Sequence, residues 1–126
     1  MSARISALMQ GPVGLVLLVL LLLSLSQAAR QWNEAELAQR LRELARPGDI
    51  LMLASRSCIY CQRAKRWLDA EQVPYRMCLI EQDAACAHRY AALQAPGTPT
   101  FVVRGARVIG WDRAALLRAL EQAPIK

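Results

Sequence analysis

The chain has 126 residues, room for one domain, and carries 16 Lys and Arg against 10 Asp and Glu for a formal net charge of +6. The positives are scattered from Arg40 to Arg118 without a block of five, and aromatic residues make up only 6% of the chain. That pattern argues against a nucleic-acid-binding surface and reads as a solvated basic exterior.

Val13 to Leu25 is an almost unbroken run of Val and Leu, preceded by Arg4 and followed by Ser26-Gln27-Ala28-Ala29. A basic start, an apolar run of about 7–15 residues and a small-residue exit define a secretory signal. A membrane span needs ~20 apolar residues, a length reached here only by counting back through Gly11 and Pro12. Residues 1–28 are therefore expected to be a signal peptide cleaved near Ala28, or an uncleaved anchor that meets the membrane through residues 5–28. Both versions export the domain, residues 31–126, to the periplasm or cell envelope, where disulfides persist.

Beyond the leader, Asn33 is expected to cap a helix with Glu34 and Glu36 in its first turn and a Leu37, Leu41, Leu44 stripe, ended by Pro47-Gly48. Ile50–Ala54 is a short continuous apolar run, as in a strand covered on both faces. A helix is expected over 59–71, a strand over Tyr75–Ile80, and a helix capped by Asp83 running to about Leu93. Thr100–Arg104 and Arg107–Ile109 flank Gly105 as a hairpin, and Asp112 caps a last helix over 113–122. The resulting α-β-α-β-α-β-β-α order describes an α/β domain: a parallel βαβ unit, then a hairpin and a closing helix.

The chemistry concentrates at Cys58-Ile59-Tyr60-Cys61. A Cys at a helix start has its sulfur near unpaired backbone N–H groups and the positive end of the macrodipole, which favours thiolate. A second Cys three residues on lies one turn along the same face, within reach of a disulfide. Cys58 is thus the expected nucleophile and Cys61 the resolving thiol. Zinc sites share the spacing, but the strand before and helix after favour redox chemistry.

Three separated motifs resemble the thioredoxin superfamily, most closely its glutaredoxin branch. Residues 58–68 followed by Val73-Pro74-Tyr75 are similar to the glutaredoxin active-site helix and the strand after it. Gly97-Thr98-Pro99-Thr100-Phe101 resembles the superfamily's cis-proline loop, and Val108-Ile109-Gly110-Trp111-Asp112 its glycine-and-aspartate turn. Ile59 stands where glutaredoxins commonly have proline, Thr98 where they usually have valine, and Met52 replaces the buried acid of thioredoxins.

The resemblance implies a thioredoxin/glutaredoxin-like fold with a mixed four-stranded sheet, an extra N-terminal helix, and a signal or anchor helix before that. It implies a thiol–disulfide oxidoreductase acting on disulfide-containing proteins or on glutathione as an optional co-substrate, with a redox partner that recharges the pair and no bound cofactor or metal. It further implies a cis bond at Pro99 that exposes the Thr98 backbone to an extended substrate strand. The substrate-binding set is then Tyr60 at the rim, Thr98, Pro99, Gly110 and Asp112. The alternatives are a non-catalytic thioredoxin-fold binding module or a cysteine-based metal-binding protein.

Cys78 and Cys86 form a second pair, late in one strand and one turn into the next helix. A structural disulfide is expected if their Cα atoms come within ~7 Å, with unpaired thiols or a second redox pair as alternatives. His88, the only histidine, is expected as a surface or half-buried helix residue rather than a ligand or base, and Trp32, Trp67 and Trp111 in packing.

Overall fold

The computed structural model describes residues 11–123. Arg4 and the other residues before Gly11, part of the expected leader, lie outside the described residues, as do 124–126 of the expected domain. Eight elements follow one another: α1 (Pro12–Leu44), β1 (Ile50–Ala54), α2 (Ile59–Ala70), β2 (Arg76–Leu79), α3 (Ala84–Ala92), β3 (Thr100–Val103), β4 (Ala106–Ile109) and α4 (Arg113–Gln122). The chain divides into two units at Glu36 and Leu37.

In the first unit, the part of α1 holding Val13–Leu25 leaves its Val and Leu side chains exposed, and α1 is long and apolar enough to cross a membrane. The separate helix expected from Asn33 does not exist. Residues 28–33 contain neither Gly nor Pro, so nothing ends the first helix before Leu44, and Asn33 caps nothing. Trp32 is 77% exposed and so is not the packing residue expected.

The second unit is built on a mixed four-stranded sheet in the order β2-β1-β3-β4. β1 and β2 are parallel, with Leu53 opposite Cys78, while β1–β3 and β3–β4 are antiparallel. This is the expected βαβ unit followed by a ββα unit. β1 is central, which accounts for its unbroken apolar sequence. Its Ile50, Met52 and Ala54 join Phe101, Val103, Ala64, Leu68, Leu116 and Leu120 in the larger core, while Leu53 joins Val102 and Cys86 in a smaller one. The period-2 alternation of strand side chains assigns these two clusters to opposite faces of the sheet.

The strand ends differ from expectation by a residue or so. Tyr75 and Ile80 fall outside β2, although the Ile80 N–H still bonds the Ala54 carbonyl at 3.0 Å. Arg104 leaves β3 because it forms the hairpin turn: φ is +47° at Arg104 and +91° at Gly105, the pair of positive values that a tight two-residue hairpin turn requires. The turn aims the Arg104 side chain inward. Its Nη1 donates to the Leu120 carbonyl at 2.9 Å, and its Nη2 donates to the Leu44 carbonyl at 2.9 Å and to Asp49 at 2.8 Å. One guanidinium thereby satisfies terminal carbonyls of both α1 and α4.

Candidate active site

The site lies where β1 ends and α2 begins. After Ala54, the Cys58 N–H bonds the Ser55 carbonyl at 3.3 Å, and the Ser55 and Ser57 hydroxyls lie 3.3 Å apart. Cys58 is the N-cap of α2 with extended backbone (φ −78°, ψ 107°), and its Sγ accepts the Cys61 N–H at 3.0 Å. A sulfur occupies the place where Ser, Thr or Asp oxygens usually cap a helix. Cys58 and Cys61 are joined as a disulfide with Cα atoms 5.2 Å apart. Cys58 is half-buried while Cys61 is 3% exposed, packed in the larger core. The two sulfurs therefore differ in access and in helix position.

The Thr98-Pro99 peptide is cis, and the Thr98 carbonyl oxygen is 3.3 Å from Cys58 Sγ. Hydrogen bonds hold this loop on both sides. The Thr100 hydroxyl donates to the Gly97 carbonyl at 2.7 Å, and the Gly110 N–H donates to the Pro99 carbonyl at 2.9 Å. Gly110 has φ +78°, a conformation L side chains rarely adopt, which accounts for glycine there. Asp112 is an N-cap for α4, accepting the Ala115 N–H at 2.9 Å. Trp111 between them packs on Trp67 (5.7 Å between ring centroids) and Phe101 (5.9 Å). Gly110 and Asp112 thus have structural employment in addition to the substrate-binding role expected of them.

The rim is apolar and basic. Ile59 is 52% exposed and Tyr60 56%, with the Arg63 guanidinium carbon 5.5 Å from the Tyr60 ring centroid. Beside Cys61 lies a groove of about 180 Å³ whose lining includes Arg56, Gln62, Lys65, Met77 and Leu79. The loop carrying Arg56 is tied down by Glu81, whose carboxyl is held below the usual carboxylate range, first by the Ser55 hydroxyl and further by the Arg56 backbone N–H. On α2, Asp69 is likewise lowered, by the Lys65 ammonium 2.7 Å away and then by the Tyr75 hydroxyl. Burial, with Asp69 beside it, pushes the Tyr75 phenol up.

Cys78 and Cys86 are also joined, with Cα atoms 5.9 Å apart. Both belong to the smaller core, with Leu53 and Val102, whereas Cys61 lies in the larger one. The two pairs therefore belong to clusters on opposite faces of the sheet. His88 is exposed on α3, as expected. The residue that sequence reasoning missed is Arg104: no local signal ties it to Asp49 across 55 positions.

No family model and no curated protein matches this chain by sequence. Among solved structures, a thioredoxin-like protein in point-mutant form is 29% identical, with TM-score 0.51, covering 56% of this chain and 97% of its own. The same protein without the mutation gives 27% identity and TM-score 0.50 over the same shares. A buckwheat glutaredoxin in complex with glutathione is 19% identical with TM-score 0.49, covering 71% of this chain and 93% of its own. The thioredoxin-like fold and the paired cysteines together support a thiol–disulfide oxidoreductase kind of function.

Proposed function

We propose that this chain, whose fold is thioredoxin-like, is a member of the thioredoxin superfamily that exchanges disulfides with protein or small-thiol substrates, with Cys58 as nucleophile and Cys61 as resolving thiol. The observation that carries this reading is the Cys61 N–H donating to Cys58 Sγ at 3.0 Å from the first turn of α2. A hydrogen bond to the charged form, added to the helix terminus, lowers a thiol pKa and raises the thiolate fraction at neutral pH.

The half-reaction balances as follows. Cys58 thiolate attacks one sulfur of a substrate disulfide; a mixed disulfide forms and the substrate's other sulfur leaves as thiolate, which takes up a proton. Cys61, deprotonated, then attacks Cys58 Sγ, closing Cys58–Cys61 and releasing the reduced substrate. Two electrons pass from the pair to the substrate. Run backwards, the same steps oxidise a dithiol, so the direction follows the potential of the couple and its recharging partner. The Thr98 backbone beside Cys58 is suited to pair with an extended substrate strand, and Tyr60 and Ile59 offer it apolar contact. The apolar N-terminal helix acts in this reading as the export signal or anchor that delivers the domain to an oxidising compartment.

Substitution tests it. Cys58→Ser abolishes exchange with a protein disulfide, whereas Cys61→Ser accumulates mixed disulfides, or turns over only with glutathione. Undiminished exchange by Cys58→Ser overturns the reading.

A further inference from the structure

We propose that Cys78, Asp83 and Cys86, once the disulfide is reduced, form a binding site for a zinc-class divalent cation on the sheet face opposite the candidate active site. The Sγ atoms of both cysteines and a carboxylate oxygen of Asp83 all lie within 4.8 Å of one another. The three donors come from two elements: Cys78 from β2, Asp83 and Cys86 from the start of α3. Two thiolates and a carboxylate make a soft-to-borderline donor set with three protein ligands and one open position for solvent.

Accessibility is uneven in a useful way. Cys86 is 3% exposed and fixed in the smaller core, whereas Cys78 is half-buried and Asp83 exposed, so an ion has a route in from solvent. Asp83 is already oriented: one carboxylate oxygen caps α3, accepting the Ala85 N–H at 2.8 Å and the Cys86 N–H at 3.4 Å. Those contacts hold the carboxylate beside the sulfurs, in the manner of outer contacts that orient a ligand. Two thiolates on one tetrahedral zinc sit roughly 3.8 Å apart. The 5.9 Å Cα separation accommodates that spacing by side-chain rotation, with the backbone unchanged.

Disulfide and metal are mutually exclusive, because each uses the same sulfur electron pairs. A dithiol or phosphine reductant supplies two electrons and is itself oxidised; the S–S bond opens to two thiols, and the cation displaces their two protons. The pair therefore exchanges one cross-link between β2 and α3 for another according to redox state.

The test uses the full chain in mild detergent with Cys58→Ser and Cys61→Ser, so that Cys78 and Cys86 are the only thiols. It is reduced anaerobically and titrated with Co²⁺, then competed with Zn²⁺. The expected result is one Co²⁺ per chain, read by a near-ultraviolet thiolate-to-cobalt band that Zn²⁺ abolishes, and no band in oxidised protein. Cys78→Ser removes the band. Asp83→Asn keeps the helix cap, since Asn caps as well as Asp, but weakens affinity by roughly tenfold or more. A circular dichroism spectrum unchanged by Asp83→Asn separates ligand loss from unfolding. Absence of the band, its survival in Cys78→Ser, or undiminished affinity in a folded Asp83→Asn variant overturns the proposal.

Discussion

Oδ2 of Asp49 accepts two hydrogen bonds from Arg104, at 3.0 Å from Nε and 2.8 Å from Nη2, across 55 positions of sequence. The same oxygen accepts the Arg46 N–H at 3.0 Å, and the Arg104 backbone N–H donates to the Asp49 carbonyl at 2.9 Å. The Arg104 side chain is 6% exposed and that of Asp49 20%, so this is a largely desolvated pair with its hydrogen-bonding capacity well used.

Removing one partner strands the other. Arg104→Ala is expected to lower unfolding free energy by about 3 kcal/mol, because it leaves the Asp49 carboxylate unpaired and frees the Leu44 and Leu120 carbonyls together. Arg104→Lys should recover only part, since an ammonium cannot span that fork of acceptors. Urea denaturation of both variants measures it; equal stability for Lys and Arg would contradict the geometric account.

The same pair predicts a pH dependence. The Arg104 guanidinium, with the Arg46 N–H, holds the Asp49 carboxyl below its ordinary value against an opposing effect of burial. A carboxyl lowered in the folded state contributes stability that is complete above the unfolded value near ~4 and is lost as pH falls through the folded value. Asp49→Asn is therefore expected to melt below the parent at neutral pH, with the gap closing on acidification below about pH 4. Melting curves across that range decide the sign; a gap that widens in acid would refute it.

Alkylation of the reduced protein against pH should show Cys58 titrating below the ~8.5 of a free thiol, and reacting well before Cys61. The reason is the Cys61 N–H on its sulfur and the burial of Cys61 itself. Peptide mapping after a short iodoacetamide pulse at neutral pH gives the order, and faster labelling of Cys61 would reverse the assigned roles.

Replacing Cys78 and Cys86 together by Ala should lower the melting temperature, consistent with about 2–4 kcal/mol for a lost disulfide, yet leave the exchange rate of Cys58–Cys61 nearly unchanged. The pairs occupy clusters on opposite faces of the sheet, so stability and turnover should separate. Loss of turnover at unchanged stability would make the second pair part of the electron path.

Protein recovered from its native compartment should begin near Gln27–Arg30 if the leader is cleaved, or retain Met1 on membrane-bound material if it anchors the chain. N-terminal sequencing distinguishes these, and cytosolic full-length protein would overturn both.

The sequence by itself determined the parts whose cause is local. Asp83 and Asp112 cap their helices because a short carboxylate before a helical run reaches its first N–H groups, and β1 is readable because a central strand is apolar throughout. The Cys58–Cys61 spacing fixes a one-turn relationship wherever the helix lies. Local reasoning failed at Asn33, where a capping residue stands inside a continuous helix because nothing upstream breaks it. Only the tertiary structure decided that Cys61 and Cys86 face opposite sides of the sheet, that the Thr98 carbonyl lies 3.3 Å from a sulfur 40 positions earlier, and that Arg104 binds Asp49. These relationships depend on strand order and turn conformation, which bring distant segments together by burying both faces of one sheet, and no single stretch of sequence encodes that juxtaposition.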